Sequence, residues 1–362
     1  MVADIWMKGG KPGGSNPLDA ELEQILSRQR AKIKVVGCGG AGNNTINRIS
    51  EVGASGIETI AINTDAQDLL YAHATTKILI GKEITQGLGA GSVPQVGEEA
   101  ARENEHEIKA RLQGADMVFI TCGLGGGTGS GSVSVVAEQA KKLNALTVAI
   151  VTLPFEMEGN RRYENAMYGL ERLEKTVDTL IVIPNDKLLE LAPELPLQTA
   201  FKIADEILTN AVKGIAELVT KAGLVNLDFA DIRTVMGRGG VAMIGVGESD
   251  TEHRATECVQ KALSNPLLDV DITGATGALI NVSGGTDMTL EEAKTVVETV
   301  SQKMSEDARI IWGAQIAEDL GKTVRCMLIV TGVNSPQIFG QKRVMAQKEK
   351  KEIGNELGID FL

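Results

Sequence analysis

Aromatic side chains are scarce in this sequence, which contains two Trp, three Tyr and six Phe among 362 residues. The core must therefore be built from Ala, Val, Ile and Leu, because hydrophobic residues still make up 43% of the chain. The charged fraction of 23% is ordinary for a globular protein. The length is sufficient for two domains of usual size.

An excess of basic residues is also missing. The chain has 36 Lys and Arg against 48 Asp and Glu, which gives a formal net charge of −12. A general nucleic-acid binder needs a basic face to neutralise phosphates. We therefore expect no nucleic-acid partner.

Long apolar runs do not occur. No stretch of 18 or more apolar residues is present, so we expect no transmembrane helix and no direct membrane insertion. Residues 1–17 lack the apolar segment of a signal peptide. These features predict a cytoplasmic protein.

Cysteine and histidine are few and dispersed. The four cysteines, Cys38, Cys122, Cys258 and Cys326, form no C-x-x-C pair, and most lie in or beside apolar runs. This pattern predicts buried, reduced thiols. The three histidines lie in charged or polar surroundings, so a zinc site is not expected and no dedicated metal site is predicted.

Short apolar runs alternate with helix-length segments from residue 33 onwards. Strands apolar on both faces are typical of a parallel sheet covered by helices on each side. The predicted strands are 33–36, 57–62, 77–80, 116–121, 146–152 and 179–183, followed by 242–247, 278–285 and 324–333. The sequence therefore predicts an α/β fold, with a doubly wound, Rossmann-like domain joined by a long helix to a smaller α+β domain.

Composition and periodicity divide the chain into five parts. The long helix is predicted from apolar residues at helical spacing, and a capping box at Thr289 and Glu292 marks a later helix near residue 290. The parts are an N-terminal extension with a short helix (1–32), a nucleotide-binding domain (33–198), the central helix (199–223), the C-terminal α+β domain (224–335), and a linker with a docking tail (336–362).

Glycine, with 41 residues, is plentiful and clustered. The first cluster, VVGCGGAGNN at 35–44, fits the G-x-G-x-x-G pattern of a dinucleotide-binding turn. Asp65 lies about 20 residues further on, where such a fold places its ribose-binding acid. An NAD(P)-dependent oxidoreductase is therefore one hypothesis from this cluster.

The second cluster favours a different nucleotide site. TCGLGGGTGSG at 121–131 follows a predicted strand and precedes a helical segment from about Val133. Several glycines between a strand and a helix allow backbone N–H groups to close around an anion. The cluster lacks the Gly-Lys-Ser/Thr of a Walker A loop. It predicts a phosphate site that has no dedicated lysine.

Seven sequence blocks, in order, resemble the FtsZ branch of the tubulin/FtsZ superfamily in its archaeal form. They are GCGGAGNN (37–44), NTDAQ (63–67), GLGAGSVP (87–94), GGGTGSG (125–131), PFEMEGNRR (154–162), PNDKL (184–188) and NLDFADIRTVM (226–236). The resemblance implies a GTPase that binds GTP or GDP, with Mg²⁺ at the phosphates. It also implies head-to-tail assembly into filaments of the cell-division ring.

The resemblance assigns nucleotide-binding roles to residues throughout the first domain. The small residues of the two glycine clusters would approach the phosphates, Phe201 would stack on the base, and Asp205 would accept hydrogen bonds from guanine. For Glu158 and Arg162, a surface ion pair at i, i+4 remains the alternative. The assigned residues are Gly40, Ala41, Gly42, Asn43, Asn44, Asn63, Asp65, Ala90, Gly91, Gly126, Gly127, Thr128, Gly129, Glu158, Arg162, Asn185, Phe201 and Asp205.

The catalytic residues implied by the resemblance lie beyond the long helix. Asn226, Asp228 and Asp231 would act on the GTP of the neighbouring subunit, since a helix rises about 1.5 Å per residue and separates them from Asp205 by roughly 30–35 Å. The alternative is that the two acids only cap the helix that follows.

The last segment ends in apolar residues after a charged linker. Such a tip is typical of a docking peptide, although a functionless terminus is the alternative. By resemblance, membrane adaptors similar to SepF are expected at the division ring on the inner face of the membrane. The ending differs from the bacterial pattern that binds FtsA. A non-hydrolysing scaffold is a further alternative, which the two acids disfavour.

Overall fold

The structure is a computed structural model that describes residues 31–53, 56–191, 197–220, 224–225, 228–237, 239–268 and 272–333. The predicted short N-terminal helix, Asn226 and the docking tail lie outside the described residues. The side chain of Phe201 also lies outside them, although its backbone belongs to a helix.

One ten-stranded sheet runs through the molecule in the order β3-β2-β1-β4-β5-β6-β7-β10-β8-β9. Its first six strands are all parallel. They are β1 (Ile33–Cys38), β2 (Ile57–Asn63), β3 (Thr76–Leu79), β4 (Met117–Gly123), β5 (Leu146–Leu153) and β6 (Thr179–Pro184). All six match predicted strands to within two residues, and β5 and β6 are buried along their whole length.

The C-terminal half continues the same sheet with mixed strand directions. Its strands are β7 (Gly240–Ser249), β8 (Gly277–Gly284), β9 (Arg309–Ile316) and β10 (Val324–Thr331). β10 is antiparallel to both β7 and β8, whereas β8 and β9 are parallel. Only three residue pairs, Thr179–Ile181 with Gly240–Ala242, join β6 to β7. The two halves of the sheet therefore meet at a narrow seam.

Twelve α-helices are present among the described residues, and they cover both faces of the sheet. They are α1 (Gly39–Val52), α2 (Ala66–Tyr71), α3 (Lys82–Thr85), α4 (Pro94–Glu103), α5 (Glu105–Leu112), α6 (Gly127–Lys142), α7 (Asn160–Thr176), α8 (Asn185–Leu191), α9 (Leu197–Thr220), α10 (Phe229–Met236), α11 (Arg254–Leu263) and α12 (Leu290–Ser301).

Each face of the sheet carries its own hydrophobic core. On one face, α6 and its neighbours cover Val36, Ile120 and Val151. On the other face, α1, α9 and α10 cover residues such as Phe119 and Ile150. This two-sided cover explains the continuous Val/Ile-rich strands of the sequence. The four cysteines are buried as predicted.

Two features of the predicted pattern need correction. The helix α6 begins at Gly127, within the second glycine cluster, and not near Val133. The strand β9 has no counterpart in the sequence prediction. It is an edge strand that pairs with β8 in the described part of the sheet and forms a single bridge to Val225 at Ala314, and most of its residues are half-buried or exposed. Its sequence RIIWGAQI therefore lacks the continuous apolar run by which the central strands were identified.

No helix in the described part of the chain is both long enough and apolar enough to cross a membrane.

Candidate functional site

A cleft of about 300 Å³ opens at the carboxyl ends of the parallel strands. Ligands of open α/β sheets bind at this edge, and the volume is in the range of small-molecule sites. It is lined by Cys38, Gly39, Gly40, Ala41, Gly123, Leu124, Gly126, Gly127, Thr128, Gly129, Thr152, Pro154, Glu158, Arg162, Asn185, Ala204 and Asp205. Ten of the predicted site residues are therefore brought together in one place.

Two helix N-termini meet in this cleft. The helix α1 begins at Gly39 and α6 begins at Gly127, and neither has an acidic residue in its first turn. Their backbones are so close that a Cβ on Gly39 would lie 2.9 Å from the amide nitrogen of Gly129. The first N–H groups of a helix have no partner within the helix, and together with the positive ends of both helix dipoles they suit this point to an anion.

The glycine loop before α6 is held by a buried hydroxyl. Gly125 has a φ of +109°, which favours glycine, and its N–H donates to Ser130 Oγ at 2.8 Å. On its outer side the loop packs against residues 90–93, since a Cβ on Gly127 would lie 2.7 Å from the amide nitrogen of Val93 and 2.9 Å from the Cβ of Ala90. Side chains larger than hydrogen are therefore excluded here.

Ala90 and Gly91 do not line the cleft itself. Ala90 is buried against Gly127, while Gly91 is exposed and has a φ of +57°. The hydroxyl of Thr128 is 2.6 Å from that of Thr64, in the loop after β2. The loop at residues 90–93 and the loop after β2 thus both contact the glycine loop directly.

The polar residues predicted in the first two loops form a cluster beside the cleft. The side-chain amides of Asn43 and Asn63 donate to the same oxygen, Asp68 Oδ2, at 3.0 and 2.5 Å. Asn63 Oδ1 accepts from the amides of Thr64 and Asp65. Asn43 Oδ1 is buried and has no partner among the described residues.

Three predicted residues occupy positions away from the cleft wall. Asp65 caps α2 by accepting from the amides of Gln67 and Asp68. Gly42 is buried in α1, where a Cβ would lie 2.6 Å from the carbonyl oxygen of Thr121, so it allows helix and sheet to pack closely. Asn44 is an exposed residue of α1.

The rim of the cleft carries polar side chains of both charges. Glu158 accepts from the amide of Phe155 at 2.9 Å and forms an ion pair with Arg162. Glu158 and Arg162 therefore form the ion pair of the alternative interpretation and also line the cleft. Asn185 is buried, and its Oδ1 has no hydrogen-bond partner among the described residues.

Asp205, on α9, contributes a half-buried carboxylate to the wall of the cleft. Burial raises the pKa of this carboxyl from 3.8 to about 6, against the opposing charge of Arg48 and with a smaller contribution from Glu206. A carboxylate held in this way gains by accepting N–H donors from a ligand.

Asp228 and Asp231 lie on another part of the molecule. Asp228 caps α10 by accepting from the amide of Ala230 at 3.2 Å, and both acids are exposed. At the other end of α10, Arg233 donates to the carbonyl oxygens of Asn144 and Asp116. These two residues precede β5 and β4, so α10 lies at the amino ends of the strands and the cleft at their carboxyl ends.

Sequence reasoning missed three residues that shape the site: Thr64, Asp68 and Ser130. Thr64 and Ser130 each make a side-chain hydrogen bond to the glycine loop or its helix, and Asp68 accepts from both Asn43 and Asn63. Thr64 and Ser130 were within the quoted motifs, but nothing in their spacing indicates these partners. Within the described residues there is no group of three or more His, Cys, Asp or Glu side chains placed to hold a metal ion.

Comparisons with known proteins agree with this geometry. Residues 32–193 match the model of the tubulin/FtsZ family GTPase domain, and residues 240–334 match that of the FtsZ family C-terminal domain. The cell division protein FtsZ 1 of Thermococcus kodakarensis is 61% identical over 339 residues, which are 94% of this chain and 89% of that protein.

Solved structures give the same result. An empty FtsZ dimer from M. jannaschii has a TM-score of 0.84 at 62% identity, covering 88% of this chain and 93% of that chain. CetZ1 from Haloferax volcanii has a TM-score of 0.75 at 23% identity, covering 88% of this chain and 99% of that chain, which shows a shared fold alone. The oxidoreductase hypothesis is thereby set aside. The chain belongs to the tubulin/FtsZ family and is a GTPase of its FtsZ branch, similar to the archaeal FtsZ 1 proteins.

Proposed function

We propose that this protein assembles head to tail into filaments of the cell-division ring, and that each GTP is hydrolysed between two subunits. The observation that carries the proposal is the position of α10. Its acids, Asp228 and Asp231, lie at the edge of the sheet opposite to the cleft. β4 alone spans about 20 Å between those edges at roughly 3.3 Å per residue.

The phosphates of GTP occupy the point where α1 and α6 begin. Gly40, Ala41 and residues 126–129 line this part of the cleft. Their N–H groups bind phosphate oxygens without a lysine. Ala90 and Gly91 contact the γ-phosphate and so distinguish GTP from GDP, because their loop packs directly on Gly127.

The sugar and base occupy the other end of the cleft. Glu158, Arg162 and Asn185 contact the sugar, and the unpartnered Asn185 Oδ1 accepts a hydroxyl or amino proton. Asp205 accepts from the ring N–H and amino group of guanine, a donor pair that adenine lacks. Phe201, one helical turn before Asp205, stacks on the base.

A Mg²⁺ ion fits beside the phosphates. Asn43 and Asn63 belong to the polar cluster beside the cleft, and Asp65 lies at the start of α2. Their amide and carboxylate oxygens are ligands that suit this cation. Bound with GTP, the ion would neutralise charge on the phosphates.

Hydrolysis is completed by a neighbouring subunit. In head-to-tail contact, the α10 end of one molecule covers the cleft of the next. Asp228 and Asp231 then orient the attacking water and accept its proton, and Asn226 assists. Positioning and charge stabilisation dominate phosphoryl transfer, so turnover is limited to assembled subunits.

The segment beyond residue 335 tethers the filament to the division ring. Its apolar end docks onto an adaptor similar to SepF in preference to one similar to FtsA, and places the filament at the inner face of the membrane.

The proposal is tested by measuring GTP turnover and light scattering over a range of protein concentrations. We expect turnover per subunit to rise steeply at the concentration where scattering begins. A full rate in dilute, non-scattering solution would refute the shared site. Assembly without turnover would instead indicate a scaffold.

A further inference from the structure

We propose that Asn165 holds the loop at residues 90–93 against the glycine loop and thereby acts as a positioning residue that favours the binding of GTP over GDP. This inference rests on the proposed GTP site, in which Ala90 and Gly91 contact the γ-phosphate. Asn165 lies in α7 and is half-buried. It is not one of the residues that line the cleft, so it acts through the two loops and not on the nucleotide itself.

The side-chain amide of Asn165 joins the two loops. Its Nδ2 donates to the carbonyl oxygen of Ser92 at 2.9 Å and to that of Gly125 at 3.2 Å. An amide nitrogen carries two hydrogens, so each carbonyl has a donor of its own. Both partners are acceptors only, which fixes the orientation of the amide, since the reverse orientation would place Asn165 Oδ1 against two other oxygens.

The loop at residues 90–93 has a backbone that needs such a restraint. Gly91 and Ser92 are exposed, and their φ angles are +57° and +60°. A serine is unfavourable in the left-handed region and persists there when its surroundings hold it. Within the described residues, the backbone of Ser92 makes no hydrogen bond other than the one from Asn165. That hydrogen bond is therefore the restraint on this part of the loop.

The restrained loop packs on the glycines that we propose to bind the phosphates. A Cβ on Gly127 would lie 2.7 Å from the amide nitrogen of Val93. Gly125, the second partner of Asn165, lies two residues before Gly127. Asn165 therefore connects the loop at residues 90–93 to the same short segment on which that loop packs.

The helix that carries Asn165 is itself fixed to its neighbours. A Cβ on Gly169 would lie 3.0 Å from a backbone oxygen of α6, so α7 packs closely on α6. Tyr168 and Arg172 both donate to Glu98 of α4, at 2.9 Å to Oε2 and at 2.6 Å to Oε1. The helices α4 and α6 each follow one of the two loops, so α7 holds Asn165 in a fixed position between them.

The two nucleotides differ in how far they depend on this loop. GTP carries the γ-phosphate that the loop contacts in the proposed site, whereas GDP ends one phosphate earlier. A loop that is already in place loses little conformational freedom when GTP binds, and this preorganisation raises the affinity. Loss of the amide of Asn165 should therefore weaken the binding of GTP and leave that of GDP nearly unchanged.

The test measures the dissociation constants of GTP and GDP for the full chain, at protein concentrations below assembly. In Asn165→Ala, we expect the affinity for GTP to fall by about tenfold, which corresponds to the loss of one or two ordinary hydrogen bonds. The affinity for GDP should stay close to that of the wild type. Asn165→Leu keeps a side chain of similar shape but removes both donors, and it should show the same selective loss.

Two further variants serve as controls. Asn160→Ala removes the same side chain from an exposed position in the first turn of the same helix, and both of its affinities should equal those of the wild type. Gly91→Ala perturbs the loop directly, because a φ of +57° strains an alanine. It should lose affinity for GTP selectively, as Asn165→Ala does.

Two results would overturn the inference. Equal weakening of GTP and GDP binding in Asn165→Ala would make Asn165 a structural residue only. Unchanged affinities for both nucleotides in Asn165→Ala and Asn165→Leu, with a selective loss in Gly91→Ala, would show that the loop keeps its place without the amide.

Failure of the proposed site gives a different result. If Gly91→Ala also fails to separate GTP from GDP, the proposed contact between this loop and the γ-phosphate is refuted, and the inference with it. A wild type that binds neither nucleotide would refute the whole site. The failure of the inference alone and the failure of the proposed function are therefore distinguishable.

Discussion

At the scale of single residues, Asp205, which we propose to bind guanine, is held as a carboxylate at a cost to the stability of the unliganded protein. Burial raises the pKa of its carboxyl from 3.8 to about 6. The folded protein therefore holds this proton more tightly than the unfolded chain does. Stability from this group is largest below pH 4 and is lost as the pH rises to about 6.

The first prediction concerns the pH dependence of binding. Guanine offers only donors to Asp205, so the carboxyl must be ionised in the complex. We expect GTP affinity to be flat well above pH 6 and to fall by up to tenfold per unit below it, measured by titration between pH 5 and 8. Asp205→Asn should bind weakly, with no step near pH 6. A wild-type affinity that does not change across pH 6 would contradict the assigned role.

The same residue yields a prediction about stability. Asp205→Asn removes a charge that burial disfavours, so the unliganded variant should unfold at a higher temperature than the wild type at pH 7.5. The difference should disappear below about pH 3, where Asp205 is protonated in both the folded and the unfolded state. Thermal unfolding at the two pH values, without nucleotide, measures this. A variant that is less stable at pH 7.5 would show that Asp205 makes a favourable interaction in the free protein.

At the scale of elements, the packing of α4 on α6 depends on two glycines. A Cβ on Gly131 would lie 2.0 Å from the carbonyl oxygen of Pro94 and 2.5 Å from the amide nitrogen of Glu98. A Cβ on Gly97 would lie 2.3 Å from the carbonyl oxygen of Gly127. Because all three of these atoms belong to the backbone, the helices cannot accommodate a methyl group by moving a side chain.

We therefore predict that Gly131→Ala destabilises the protein by about 1–3 kcal/mol or more, as overpacked sites do. Because α6 begins at the glycine loop that we propose to bind the phosphates, the Gly131→Ala variant should also bind GTP more weakly. Chemical denaturation and nucleotide titration measure the two effects. Gly274→Ala is the control, since no atom lies within 4 Å of its new Cβ. Equal stability of the two variants would contradict the close approach of α4 and α6.

A second element-scale feature joins the helices of the C-terminal half. Arg254, on α11, pairs with both carboxylate oxygens of Glu292 on α12. It also donates to Asp287 and to the carbonyl oxygen of Lys322. Its side chain is only 11% exposed, so these charged hydrogen bonds are poorly screened.

Arg254→Ala should lower the free energy of unfolding by about 1–3 kcal/mol, because charged hydrogen bonds of this kind are lost together. Urea denaturation checks this value. Lys294→Ala removes the ion pair between Lys294 and Glu298, and both of these side chains are more than half exposed. This variant should have little effect on the free energy of unfolding. Similar losses in the two variants would argue against a special role for Arg254.

The sequence predicted elements according to how continuous their apolar pattern is. Central parallel strands such as β5 and β6 were found because they are buried on both faces. β9 was missed because an edge strand lacks that pattern. The start of α6 was misplaced because glycine has low helix propensity, and here packing against α4 outweighs it.

For a similar reason, the sequence predicted some parts of the site and missed others. The glycine loops follow from motif spacing, and they meet in one cleft. Asp68 and Ser130 act through contacts with loops that come together only in the fold. Such pairings depend on the arrangement of strands and leave no local pattern in the sequence.

At the scale of the whole molecule, the sheet gives the protein two chemically different ends. The carboxyl ends of the strands carry the nucleotide cleft, and the amino ends carry α10 with its exposed acids. In the proposed mechanism, the end that binds GTP and the end that completes the site meet only between molecules. A heterologous contact of this kind generates a filament when it does not close into a ring.

The most direct test of this account mixes two inactive variants. Asp231→Ala should bind GTP but offer no complete acid pair, whereas Asp205→Asn should offer the acids but bind GTP poorly. Each alone should show little turnover. In an equal mixture with random contacts, about a quarter of the interfaces join a competent cleft to a competent α10, so roughly that share of wild-type turnover should return. A mixture that remains as inactive as its components, although it assembles, would contradict the shared active site.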